Sequence, residues 1–342
     1  MRNSLYLIGL SVALASCASQ QPVKKNSTKS KTPVTKVTQP IQPAPPTLPK
    51  KQIQHEGDYD FFKVNIGDAS KNDNTISYGS IVSADPKGYK VVKTYFPAVA
   101  QNFRQKYIIL HYTALDDDKS VTVLTQQSVS AHYLVNNLGD REIYQLVDEN
   151  KRSYHAGISS WRNDKMLNDT SIGIEIVNPG YVADASGMRV FPDFDDAQMK
   201  KVAALVKDIA DRYMIPPTNI LAHSDIAPTR KSDPGPKFPW KKLYDEYQIG
   251  MWYDEATKQN FYNQIIPETY VVEMATSPFI FKYQSALKTL GYGLEPSGIV
   301  DDSTKKTIEA FQFHFRPSKY DGVMDAETWA ILQALNVKYP NK

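Results

Sequence analysis

The chain has 342 residues, with 40 basic and 37 acidic side chains and a formal net charge of +3. That is enough length for two domains of ordinary size. With 41% hydrophobic residues, 16 glycines and one cysteine, it excludes a collagen-like, a disulfide-stapled or a multi-span membrane protein. The charge is uneven. Lys24, Lys25, Lys29, Lys31, Lys36, Lys50 and Lys51 lie in residues 18–55, which hold no acid, and setting them and Arg2 aside leaves 32 bases against 37 acids. The remainder is mildly acidic, so no nucleic-acid partner is expected.

Residues 1–17 begin with Arg2, continue as an apolar run from Leu5 to Leu14 and end Leu14-Ala15-Ser16-Cys17. The run is too short to span a bilayer and reads as an export signal. Its end resembles the bacterial lipobox, which implies lipidation of Cys17. Ala18, in place of an Asp, implies by the same resemblance to Gram-negative lipoproteins an outer-membrane lipoprotein facing the periplasm. Residues 18–55 are rich in Pro, Thr, Gln and Lys and too poor in apolar side chains to offset their ordering entropy, so they read as a disordered linker. Residues 56–94, with Tyr59, Phe61, Phe62 and Tyr78, form an extension that the pattern does not place.

The globular pattern begins near residue 95. The run 107–112 suits a buried strand, and 131–135 with 142–147 read as a hairpin about a polar turn. Residues 171–177 alternate strictly, putting Ile172, Ile174 and Ile176 on one face and Gly173 and Glu175 on the other. Residues 195–213 switch to helical spacing, capped by Asp193 or Asp195 and ended by Pro216-Pro217. A short strand closes on His223. These elements predict an α/β fold, a mixed central β-sheet flanked by helices. Residues 251–275 read as a linker. In 276–340 the segment 298–304, Gly-Ile-Val-Asp-Asp-Ser-Thr, recurs as Gly-Val-Met-Asp-Ala-Glu-Thr at 322–328. Each copy sets an Asp as the cap of an apolar-striped helix, and an earlier helix carries Ile280, Tyr283, Leu287 and Leu290, predicting a small three-helix domain.

Of six histidines, His55 sits at the linker's edge and His314 on a C-terminal helix, where a rim position is expected. His111 and His223 each end a strand, and Asp233 follows ten residues after His223. Two imidazoles and a carboxylate with an open position suit a catalytic zinc. On spacing alone, a satisfied core histidine is the better reading of His111.

Five ordered motifs carry a resemblance: Leu-His-Tyr-Thr at 110–113, Ser-Ala-His-Tyr-Leu at 130–134, Tyr-His-Ala-Gly-Ile-Ser-Ser-Trp at 154–161, Ile-Gly-Ile-Glu-Ile-Val-Asn at 172–178, and the stretch 223–236. Over residues 95–250 the chain resembles the type-2 N-acetylmuramoyl-L-alanine amidase family, which includes the peptidoglycan recognition proteins. The duplicated motif of 276–340 resembles the type-1 peptidoglycan-binding domain, and the order of the two is similar to that of outer-membrane lipoprotein amidases. The resemblance implies Zn2+ held by His111, His223 and Asp233, with Glu175 as the catalytic acid/base and Lys231 as the transition-state-stabilising cation. It also implies hydrolysis of the amide between N-acetylmuramic acid and L-Ala in peptidoglycan or muropeptides. Tyr112, His155 and Trp161 are implied substrate contacts, with packing the alternative for each. His132 reads as structural, and Asp225 as a second acceptor that orients His223. A monomer is expected. A non-catalytic wall-binding protein and a zinc peptidase cutting within the stem peptide stay open as alternatives.

Overall fold

The computed structural model describes residues 86–89, 102–185, 187 and 189–341. The expectations for Cys17, for the linker 18–55 and for most of the extension 56–94 lie outside the described residues.

Five strands make the main sheet, in the order β3-β2-β6-β1-β9. They are β1 (Tyr107–Tyr112), β2 (Tyr133–Val135), β3 (Tyr144–Gln145), β6 (Ser171–Ile176) and β9 (Ile220–Ala222). Short pairs β4 (Ser160–Trp161) with β5 (Asp164–Lys165), and β7 (Val182–Ala183) with β8 (Arg189–Val190), lie apart from it. β6 and β9 flank β1 in parallel, β2 runs parallel to β6, and only the β2–β3 hairpin is antiparallel, which makes the sheet mixed as expected.

In-register parallel neighbours share a face of the pleat. Ile172, Ile174 and Ile176 are wholly buried and join Met199, Val202, Val206 and Ile209 in one core. The latter are the stripe of α2 (Asp196–Tyr213), whose N-cap Asp195 accepts from the Ala197 and Gln198 amides. The opposite face of β6, occupied by Ser171, Gly173 and Glu175, also lies inside the protein; it pairs with Tyr107, Ile109 and His111 of β1. The remaining helix of this region before β2 is α1 (Asp117–Gln126), capped by Asp116. His223 does not end a strand. It opens a single helical turn, α3 (His223–Ile226), directly after β9.

The chain then runs through α4 (Trp240–Tyr247), α5 (Glu255–Asn263) and α6 (Pro267–Glu273). The stretch read as a linker, 251–275, is therefore largely helical. Three helices follow, α7 (Ser277–Leu290), α8 (Asp302–Phe315) and α9 (Ala326–Lys338). Asp301 and Asp325 cap the last two by accepting from the Thr304 and Thr328 amides, as the repeat predicts. What the repeat did not disclose is a buried glutamine behind each turn. Gln284 accepts the Ser297 and Gly298 amides and donates to Thr304; Gln312 accepts the Gly322 amide and donates to Thr328.

These helices do not stand clear of the sheet domain. One buried cluster runs from the strands through Trp161, Trp240 and Tyr292 into Phe311 and Leu335. Arg162 N–H donates to the Gly291 carbonyl at 2.7 Å, and Arg189 is ion-paired with Glu309. The expected rim position of His314 is overturned. Its ring is 1% exposed, stacked on Trp240 at a centroid distance of 3.9 Å, because α8 is packed against the sheet domain on that side.

Candidate active site

His111 projects from the end of β1 and Glu175 is its register partner on β6, so both side chains enter the same space above the sheet. His223 enters from the start of α3 and Asp233 from the loop that follows. The Nδ1 atoms of the two histidines are 2.9 Å apart, and the Asp233 Oδ2 lies 3.0 Å from the one and 2.9 Å from the other. All three residues are buried. Among the described residues they are the group of histidine and acidic side chains placed to hold a metal ion.

Whether that triangle fits a cation depends on where the imidazole protons sit, and a chain of contacts decides it. Ser171 Oγ donates to the Leu167 carbonyl at 2.5 Å, so it accepts from His155 Nε2–H at 3.0 Å. His155 Nδ1 is thereby left as an acceptor, and it takes His111 Nε2–H at 2.9 Å. His223 Nε2–H donates to the Ala156 carbonyl at 3.2 Å. Each metal-side Nδ1 then carries a lone pair. Burial, reinforced by His223 beside it, pushes the His111 imidazole down to about 4, so it is neutral near pH 7. Three lone-pair donors facing one another repel unless a cation sits between them. Zinc takes such ligands at roughly 2.0–2.2 Å, which in tetrahedral geometry spaces them by roughly 3.3–3.6 Å. The donor set fits that ion, and an outward shift of a few tenths of an ångström in each side chain brings the 2.9–3.0 Å spacing to it.

A cavity of about 240 Å3 opens on the triangle. Tyr112, His155, Glu175 and Lys231 line it together with the three ligands. The Glu175 Oε2 is shut off from solvent and has no hydrogen-bond partner. Burial pushes this carboxyl well above the ordinary range; Asp233 adds to the rise and Lys231 opposes it. Tyr112 donates to or accepts from Ser232 Oγ at 3.2 Å, and burial pushes its phenol up to about 12, so it is an uncharged wall of the cavity. Lys231 forms no ion pair with Asp225 or Asp233 among the described residues, and it borders the cavity instead.

The remaining candidate residues play other parts. Trp161 is fully buried, donates from Nε1 to the Thr218 carbonyl and meets Tyr292 edge to face at 5.1 Å, so it packs between domains and does not line the cavity. His155 borders the cavity, but both ring nitrogens are spent on His111 and Ser171. His132 accepts at Nδ1 from the Gly173 amide and Ser153 Oγ, and donates from Nε2 to the Lys151 carbonyl, a structural role. Asp225 does not accept from His223; it accepts from the Ala222 amide, Tyr292 and His314. Two supporting residues escaped the sequence reading. Asn168 Oδ1 accepts the His155 and Ala156 amides, and Gly173 leaves room for the His155 ring, since a Cβ there would lie 2.4 Å from its Cγ. The only hint of the second was a glycine in the middle of a strand.

Comparison with known proteins agrees with this geometry. Residues 101–236 match the N-acetylmuramoyl-L-alanine amidase family, and residues 276–332 a peptidoglycan binding domain family. The chain is 43% identical over 261 residues to the N-acetylmuramoyl-L-alanine amidase AmiD of Escherichia coli, covering 75% of this chain and 90% of that protein. A solved AmiD complex with anhydro-N-acetylmuramic acid-L-Ala-D-gamma-Glu-L-Lys superposes with a TM-score of 0.68 at 41% identity, covering 75% of this chain and 98% of that one. AmpDh3 of Pseudomonas aeruginosa, in complex with an anhydromuramic pentapeptide, gives 0.62 at 39% identity, over 76% of this chain and all of the other, 100%. The chain belongs to the N-acetylmuramoyl-L-alanine amidase family and is an enzyme of that family.

Proposed function

We propose that this chain is a zinc-dependent amidase that hydrolyses the bond between the lactyl carbonyl of N-acetylmuramic acid and L-Ala, in peptidoglycan or in muropeptides released from it. The observation that carries the reading is the convergence of two histidines and an aspartate placed to hold a metal ion, an unpartnered buried carboxyl and a lysine outside any ion pair with them on one cavity. A bound zinc supplies Lewis acidity and lowers the pKa of water to roughly 7. Glu175, poised high by burial, takes the proton of the attacking water and passes it to the departing L-Ala nitrogen. The Lys231 ammonium stands beside the scissile carbonyl and offsets charge developing on its oxygen. His155 and the Ala156 carbonyl hold the two imidazoles in the tautomer that binds metal.

The E. coli relative's complex supports a muropeptide as the ligand class, and the C-terminal helical domain supports a second contact with the wall that raises local substrate concentration. Cys17 and the linker 18–55 support an outer-membrane anchor with reach into the periplasm, acting as a monomer. Mass spectrometry of digested muropeptides tests the activity. Free disaccharide and peptides beginning with L-Ala are expected. Shortened peptides on intact sugar–Ala linkages mark a peptidase, and unchanged muropeptides with wall pull-down mark a binder. Metal analysis is expected to return one zinc per chain, and Cys17→Ser to move the protein out of the membrane fraction.

A further inference from the structure

The carboxylate of Asp225 is fully buried, two residues beyond a metal ligand, yet its hydrogen-bond donors are Ala222, Tyr292 and His314 and not that ligand. A buried carboxylate is tolerated only with its oxygens satisfied. Oδ2 accepts the Ala222 amide at 2.9 Å, which closes the turn joining β9 to α3. His223 is the residue that this turn presents. The other two donors come from the C-terminal domain: Tyr292 OH reaches Oδ1 at 2.7 Å and His314 Nδ1–H reaches Oδ2 at 2.7 Å. Both donors are themselves fixed. The His314 ring is stacked between Trp240 and Phe315, each at 3.9 Å, and the Tyr292 ring lies edge-on to Trp161.

We infer that Tyr292 and His314 are positioning residues for the metal ligand His223, acting through Asp225, so that the wall-binding domain is part of the framework of the metal site. With both donors gone, the buried carboxylate must turn or draw in water, and the Ala222 turn that aims His223 loses its clamp. Coupling of this kind is reciprocal: metal held by His223 also favours docking of the C-terminal helices. The inference rests on the zinc reading above.

The test uses the full-length chain, with Zn2+ alone titrated against a chromophoric chelator and thermal unfolding followed in parallel. Tyr292→Phe and His314→Phe keep ring shape and stacking while removing one donor each. The double variant is expected to bind zinc about tenfold more weakly or worse, in the range found when partners of metal ligands are removed, and each single variant is expected to lie between it and the parent. Ile331→Ala, in the core of α9 and outside the hydrogen-bond set of Asp225, serves as the control; it is expected to lower the unfolding temperature and leave zinc affinity as in the parent. Zinc affinity within twofold of the parent in the double variant overturns the inference, as does an equal loss in Ile331→Ala, which would mean general loosening. A parent chain that takes up no zinc overturns the metal reading itself, a result distinct from either.

Discussion

The Nδ1 of His155 lies 2.9 Å from the Nε2 of His111, with the two rings perpendicular. This contact makes His155 a selector of the His111 tautomer and gives a mid-strand glycine a function, because only a residue without Cβ at 173 leaves space for the ring. His155→Ala is expected to weaken zinc binding by about 10–100-fold with all three ligands in place. Gly173→Ala is expected to do the same by displacing the ring. Competition titration with zinc measures both, and unchanged affinity in the pair would remove His155 from the metal framework.

Glu175 bears on turnover and not on metal retention. Glu175→Gln keeps shape but cannot accept a proton, so kcat is expected to fall by about 10²–10⁴ with one zinc still bound. The group acts as a base when ionised and its carboxyl is raised by burial. Activity is therefore expected to decline as pH drops through a value well above 4.5, the usual glutamate figure. A pH profile of kcat/KM flat down to pH 5, or a Gln variant of full activity, contradicts the assignment.

Glu149 is held by both Nη atoms of Arg212 at 2.6 and 2.7 Å and by the hydroxyls of Tyr133 and Tyr213, both at 2.5 Å. Burial alone would raise this carboxyl; the Arg212 and tyrosine contacts outweigh it and bring it to about 2. Its folded pKa is thus depressed, so its stabilisation is present above the unfolded value near 4.5 and is lost as pH falls from there towards about 2. Glu149→Gln is expected to cost about 1.5 kcal/mol at pH 7, the lower end of the range for bonds to charged groups because Arg212 is 43% exposed. The difference from the parent in urea unfolding should shrink as pH approaches 3.

Hydrophobic periodicity reaches the sheet and the three C-terminal helices because each element buries one regular face. The site is less legible, for reasons visible in its parts. His111 lies 112 residues from His223 and 122 from Asp233, so spacing carries no information about their meeting; ordered motifs do. Alternation in β6 assigns Gly173 and Glu175 to a common face but does not say what covers it, whereas tertiary packing brings Glu175 into a cavity. His314 falls beside an aromatic stripe and reads as rim. Its burial comes from Trp240 and Asp225, which are 74 and 89 residues earlier in the chain, through docking that no local pattern encodes. Trp161 shows the same limit, since a tryptophan inside a family motif and one packing a domain junction look alike in one dimension.

The metal-free protein should show what its active-site groups cost the fold. Glu175 has a raised folded pKa, so the folded state binds its proton more tightly than the unfolded one. Its contribution is fully present below the unfolded value of 4.5 and is lost as pH rises through the folded value. Near pH 7 the chain therefore holds an ionised or proton-costly carboxyl in a site without a partner for Oε2. Glu175→Gln removes that charge, and calorimetry of chelator-treated protein is expected to give it a higher unfolding temperature than the parent at pH 7, with the gap closing towards pH 4. His111 works with the opposite sign. Its folded pKa is depressed from 6.5 to about 4, so its contribution is complete above 6.5 and declines as pH falls towards 4. Saturating zinc should raise the unfolding temperature of both proteins, by about 4 kcal/mol of stability at a thousand times Kd. If Glu175→Gln unfolds below the parent at pH 7 in metal-free buffer, then the carboxylate is satisfied in the fold and its role as a destabilised, poised base is wrong.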